Sequence, residues 1–307
     1  MNSNKLHGII FALIAAICNS SIGIFSVKLF QAGLTANEIA FYKCLVGFLI
    51  IGLTLAIARR WKTAFYFIKT RWRAGLVCAF FGFFIPYHFE TEAYINDSVS
   101  TVVFVLFGSS TVFLFILSAL VEKRFFSVQE IMATCLSLFG LYLIFSQGQG
   151  IRIGLSKGLF FACIAGIGYG TFLFLTKKLN FGAGLSRIFS LLFFGSLYLS
   201  LPFASTIHPV ELGINDFLFI ICLTVLPTIG GFWFTTKALT MVSSQSVQLV
   251  ELSEPMFAVI FSRLFLGQYT TDLQYLGGCL IFFAILFYEC PFTTRLSRKK
   301  SINNNAA

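Results

Sequence analysis

The sequence predicts an all-α polytopic membrane protein: ten transmembrane helices arranged as two inverted five-helix repeats. Three observations carry that reading. First, 57% of the 307 residues are hydrophobic, only 11% are charged and 40 are Phe. The mean hydropathy is +0.87, far outside soluble globular composition. Apolar stretches of about 20 residues, enough for a helix to cross hydrocarbon, recur along the chain, and none shows the short apolar/polar alternation of an outer-membrane barrel. Second, Lys and Arg crowd into short connections between the apolar runs, as the positive-inside rule describes. Third, the two halves of the chain match each other.

Spans are expected at about 7–27, 37–58, 74–95, 99–121, 128–146, 157–176, 186–204, 216–236, 246–266 and 273–290, read from apolar runs of membrane-crossing length. The first run lacks a small-residue cleavage site and reads as a retained span, not a signal peptide. Arg59–Arg73 reads as a basic loop with six Lys/Arg, and placing it in the cytoplasm fixes the remaining connections. The same side then holds Lys5, Lys123, Arg124, Lys177, Lys178, Arg187, Lys237, Arg295, Arg298, Lys299 and Lys300, giving 17 of the 22 basic residues. Opposite connections carry Asn96, Asp97, His208, Glu211 and Asp272, with Lys28, Arg152 and Lys157 nearby. Both termini are therefore expected in the cytoplasm, and residues 291–307 read as a basic, disordered cytoplasmic tail. The net charge of +10 reports topology, not nucleic-acid binding. Eight scattered Cys form no CxxC and no Cys/His cluster, so they read as small core residues; neither a cofactor nor a metal is expected.

The duplication fixes the domains as 5–147 and 156–290. Gly8–Lys28 aligns with Gly158–Lys178 at an offset of 150, pairing Phe11 with Phe161, Ala12 with Ala162 and Ala15 with Ala165. Thr91–Phe145 aligns with Thr236–Cys290 at an offset of 145, pairing Ser98 with Ser243, Val102 with Val247, Gln129 with Gln274 and Leu143 with Tyr288. Five spans per half is an odd number, so the second copy enters the membrane upside down. Inverted repeats of this kind place a binding site near the midplane between the halves.

Polar side chains inside the spans are the candidate site, because a charge at that depth costs roughly 2.5–3.5 kcal/mol and persists where it faces other helices or a wet cavity. In the ninth span, helical spacing puts Ser244, Gln248, Glu251, Pro255 and Ser262 on one face. Glu251 is thus expected in the cavity, with Glu254 either beside it or capping a Pro-induced break. In the third span, Pro86 is expected to kink the helix, with Tyr87, Glu90 and Tyr94 along one face. His88 and Glu92 fit either a functional role or simple solvation at the interface. A His or Glu held in a low-dielectric site can titrate near neutral pH, which proton coupling requires. Lys43 fits three roles: a snorkelling residue, a partner for Glu90 or Glu251, or a ligand for a substrate carboxylate. Asn19, Ser20 and Ser21 are repeat-related to Tyr169, Gly170 and Thr171 and fit either cavity lining or close helix packing. Trp233 fits an interface anchor or a stacking platform, and Arg263 marks the outer interface. Phosphate loops, zinc-protease helices, nucleophile elbows and paired-aspartate motifs are all missing from the sequence.

With these residues in place, the chain resembles the drug/metabolite transporter superfamily, EamA branch. The resemblance covers about residues 5–290, on the two closes 118–144 and 262–288, the NEIAFYK segment at 37–43 with its Lys43, and the duplicated five-span layout. The sequence departs from the family pattern at Phe107–Ser110, where the family's fourth span usually has Pro, and at Gln268, where Glu is usual. The resemblance implies a non-enzymatic secondary transporter working by alternating access, an inner-membrane location and a small-molecule substrate. Amino acids or related organic solutes suit a mixed Glu/Lys site. The alternatives are S-adenosylmethionine or a nucleotide derivative, or, in another class, an intramembrane enzyme acting on lipid-linked substrates. Other expected partners are protons and the lipid bilayer, with homodimer formation left open and no nucleic acid.

Overall fold

The computed structural model describes residues 3–97, 99–123, 126–146, 156–206, 212–267 and 269–289. Arg124, Arg152, His208, Glu211, Gln268 and the 291–307 tail, all invoked above, lie outside these residues, as does Ser98. Among the described residues the regular structure is helical throughout, and it resolves into ten crossings. The first half comprises α1 Ser3–Asn19 with α2 Ile22–Gln31, α3 Ala36–Ile57, α4 Trp61–Ala79 joined to α5 Ile85–Asn96, α6 Val99–Glu122 and α7 Val128–Ser146. The second comprises α8 Lys157–Lys178, α9 Leu185–Ala204, α10 Ile214–Leu223 joined to α11 Phe232–Leu239, α12 Ser244–Glu251 with α13 Glu254–Leu266, and α14 Asp272–Glu289. Eight crossings are long and apolar enough to span a bilayer by those criteria alone. The third and the ninth, which carry Glu90, Glu92, Glu251 and Glu254, are not among them.

Local chemistry sets the helix starts. Thr35 accepts from the Glu38 amide while Glu38 returns a bond to the Thr35 amide, a reciprocal cap that opens α3. Ser127 with Glu130 and Thr271 with Gln274 do the same for the last helix of each half. The capping partners lie 144 positions apart, so Gln274 matches Glu130 in role while Gln129 reaches across to the Phe287 carbonyl.

Two expectations about the elements change. Residues 59–73 are not a loop: from Trp61 the segment is helical, with a bend at Arg71 (φ −122°, ψ 21°) leading into the third crossing. Its exposed Trp61, Phe65 and Tyr66 alternate with Lys62 and Lys69, so apolar and basic faces coexist on a helix that propensity alone leaves undecided. The bend of the third crossing also precedes Pro86. Five residues, Phe80–Phe84, form a π-helical turn, and Pro86 follows in the first turn of α5, where its missing N–H costs nothing.

The duplication holds in three dimensions. The eighth crossing carries its own π-helical turn, Thr224–Gly231, at the repeat position of Phe80–Phe84. Gly8 packs so closely on the Val242 side chain that a Cβ would lie 2.6 Å from it, and Gly158 packs on Asp97 in the same manner. Gly8 with Gly158 and Val242 with Asp97 are repeat mates, so the same inter-half contact occurs once at each end of the bundle. On the outside of the bundle α7 crosses α14 with Gly140 against the Gly277 carbonyl and Gly277 against the Gly140 carbonyl. Small residues permit this backbone approach, the main source of helix association where no hydrophobic effect operates between helices.

Candidate functional site

Between the halves lies a cavity of about 470 Å³, within the roughly 300–1,000 Å³ of small-molecule sites. Four breaks in helical continuity create it. The first crossing interrupts at Ser20–Ser21, whose hydroxyls turn back onto the Ile17 and Cys18 carbonyls. The ninth interrupts at Leu252–Ser253, where the Ser253 hydroxyl bonds the Val250 carbonyl. The third and eighth widen at their π turns, which contribute the repeat mates Gly82 and Pro227 to the lining, while Tyr87 and Phe232, just beyond, form a second such pair. Such turns occur disproportionately at functional sites. The mouth is bordered by Tyr269, Thr270 and Gln274, at the end of the bundle bearing the connection between the ninth and tenth crossings.

The lining brings together Lys43, Glu90, Glu254, Asn19, Tyr87, Tyr94 and Tyr169. Lys43 is 5% exposed, and its ammonium lies 3.4 Å from the centre of the Tyr87 ring. A desolvated cation–π contact of this kind contributes up to about 2 kcal/mol. The Lys43 carbonyl accepts from the Thr224 hydroxyl of the eighth crossing. The expected ion pair with Glu90 or Glu251 does not form within 4 Å; the aromatic face takes the ammonium instead, while the charges of Glu90 and Glu254 remain close enough to act on it. Glu90 accepts the Tyr94 hydroxyl at 2.6 Å. Asn19 lines the same cavity as Glu254.

The structure separates the two ninth-crossing carboxylates and puts Glu254, not Glu251, in the cavity lining. Helical spacing put Glu251 in the cavity by assuming one continuous helix, but the break at Leu252–Ser253 resets the phase. Glu254 therefore faces the cavity from the first turn of α13. Glu251 is fully buried behind the wall, taking the Tyr169 hydroxyl at 2.7 Å and the Thr235 hydroxyl at 2.6 Å. Gln248 is also fully buried away from the cavity, its amide donating to Ser110 at 2.7 Å and Thr111 at 3.0 Å. Of the repeat mates Asn19 and Tyr169, Tyr169 holds Glu251, and Asn19 lines the cavity with Glu254.

Two further candidates lie outside the cavity. His88 stacks on Phe84 with ring centres 5.5 Å apart, and Trp233 packs edge-on against Phe11 and Phe234. Arg263 is exposed and bonds the Tyr275 hydroxyl. Sequence reasoning missed the aromatic floor: Phe232 lines the cavity, Phe83 stacks on it at 4.3 Å, and Phe172 meets it edge-on at 5.6 Å. Among 40 Phe nothing in the sequence singles these out except that Phe232 is the repeat mate of Tyr87.

A model of the EamA-like transporter family matches residues 6–146 and again residues 156–289. A solved structure described as "Crystal structure of protein" is similar with a TM-score of 0.78 and 10% identity, covering 92% of this chain and 96% of its own. At that identity the likeness is one of fold. A search of curated proteins finds no match.

Proposed function

The chain belongs to the EamA-like transporter family, and we propose that it is a secondary active transporter of the inner membrane, both termini cytoplasmic, moving a small zwitterionic metabolite by alternating access. It is a carrier and not an enzyme. The observation that carries this reading is one midplane cavity presenting a cation, Lys43, and two carboxylates, Glu90 and Glu254, on aromatic walls. Lys43 binds the substrate carboxylate and Glu254 binds its ammonium. Tyr87 and Phe232 cover the apolar body. Amino acids have this chemistry. Basic residues crowd at the end of the bundle opposite the cavity mouth, so the charge rule places the mouth outside.

Two acidic side chains against one basic one favour a second reading, a substrate carrying an additional positive charge, such as S-adenosylmethionine. Proton coupling through Glu90 or Glu254 belongs to the same proposal. Purified protein screened by thermal shift against amino acids, S-adenosylmethionine and nucleotides separates these readings, because a ligand bound only by the native state raises the melting temperature. Stabilisation by zwitterions, lost in Glu254→Gln, supports the reading. Labelled ligand emerging from sealed vesicles chemically altered would point to the intramembrane enzyme. A pH-gradient dependence unchanged when Glu90 and Glu254 are both neutralised would remove the proton from the scheme.

A further inference from the structure

The two halves are built alike, yet one of two equivalent seams is open and the other is shut. The open one runs between the first crossing and α13. Ser20, Ile22, Pro255 and Val259 line the cavity along it. Offsets of 150 and 145 carry Ser20, Pro255 and Val259 to Gly170, Ser110 and Leu114, on the facing surfaces of α8 and α6. There the seam is closed: Ser110 and Leu114 are both 0% exposed. Gly170 fits so tightly that a Cβ would lie 2.6 Å from the Ser110 carbonyl oxygen. α12 packs behind the seam and ties its two sides together: Glu251 takes the Tyr169 hydroxyl of α8, and the buried amide of Gln248 holds α6. Gln248 donates to both Ser110 and Thr111, and all three side chains are 0% exposed. Its repeat mate is Val103, an apolar residue lining the open cavity, so the fastening exists on one side only.

The geometry points to the α6–α8 seam as the second gate of the carrier, with Gln248 as its latch. Opening this seam while the first crossing closes on α13 exposes the cavity at the opposite end. The open seam shows what the closed one becomes: Ser20 takes the packed position of Gly170, and Pro255 that of Ser110. The closed seam holds because a buried amide separated from both hydroxyls is unsatisfied. One latch on one side biases the resting chain toward the state with its mouth at Tyr269. This assignment rests on the alternating-access reading above, but its test needs no substrate.

The test uses the full-length chain with native cysteines replaced, carrying a reporter thiol at Leu114→Cys or, separately, at Ser262→Cys in the open mouth. Labelling by a water-soluble maleimide is followed with and without Gln248→Leu, which keeps the volume and removes both hydrogen bonds. Gly170→Ala, forcing the seam apart by its Cβ, is the second and independent perturbation. The expected result is labelling several-fold faster at position 114 and slower at position 262, with an unchanged gel-filtration profile, for both variants. Acceleration at both positions would mean general loosening and overturn the gate. Unchanged rates at both positions would overturn it as well. Failure of the substrate screen with reciprocal labelling intact would leave the gate standing and remove only the zwitterion.

Discussion

Replacing Glu254 by Gln tests the division of labour between the two ninth-crossing carboxylates. The substitution keeps shape and hydrogen-bonding capacity but removes the charge that faces the cavity beside Lys43 and Glu90. A hydrogen bond to a charged group contributes about 1.5–3 kcal/mol. At about 1.4 kcal/mol per decade, an ammonium ligand should bind roughly 10- to 150-fold more weakly. The same ligand without its ammonium should bind the variant and the native chain within about twofold of each other. Glu251→Gln serves as the control, since Glu251 is sealed behind the wall by Tyr169 and Thr235. There one hydroxyl loses its acceptor, so stability falls by about 1–3 kcal/mol while affinity holds. Calorimetric titration of both variants with the ligand pair reads these effects directly. The reasoning is refuted if Glu251→Gln weakens the ammonium ligand as much as Glu254→Gln does, or if both ligands of the pair weaken together.

Three further outcomes follow from the packing. Lys43→Met, which keeps the stem over Tyr87, should abolish discrimination between a carboxylate ligand and its amide, read as convergence of the two dissociation constants. Gly140→Leu, facing the Gly277 carbonyl, should overpack the α7–α14 crossing and destabilise by about 1–3 kcal/mol, seen as a lower melting temperature with an unchanged cavity affinity. The Lys5–Glu289 ion pair, at 2.7 Å with Lys5 41% exposed and Glu289 5%, is screened on one side, so Lys5→Gln should cost only about 1 kcal/mol. A larger loss on denaturation would mean that this contact is a main tether of the basic end.

What was legible in the sequence was whatever depends on periodicity and on the offset between halves. Ten crossings, their duplication and a cavity lined from both halves all follow from apolar run lengths and from pairs such as Gly8/Gly158. The charged residues of the spans were legible too, since Lys43, Glu90 and Glu254 stand out in an apolar background. Their order was not. Deciding between Glu251 and Glu254 required the phase of the ninth helix: Pro255 allowed a break, but nothing in the sequence told whether the helical phase carries through it. The π turns were equally silent, because FFGFF and TVLPTIGG read as ordinary apolar helix with a bend. Trp61–Arg73 was misread as a loop because its charge density masked its amphipathic face. His88 and Trp233 drew notice as rare residue types, yet their rings are spent on Phe84, Phe11 and Phe234.

The most direct measurement is counterflow in proteoliposomes: vesicles loaded with unlabelled zwitterion, labelled zwitterion outside, native chain against Glu254→Gln. The account predicts transient accumulation of unmodified label with the native chain and little above protein-free vesicles with the variant. Equal accumulation in both would contradict it, because the carboxylate facing the cavity would then be irrelevant to what the protein carries.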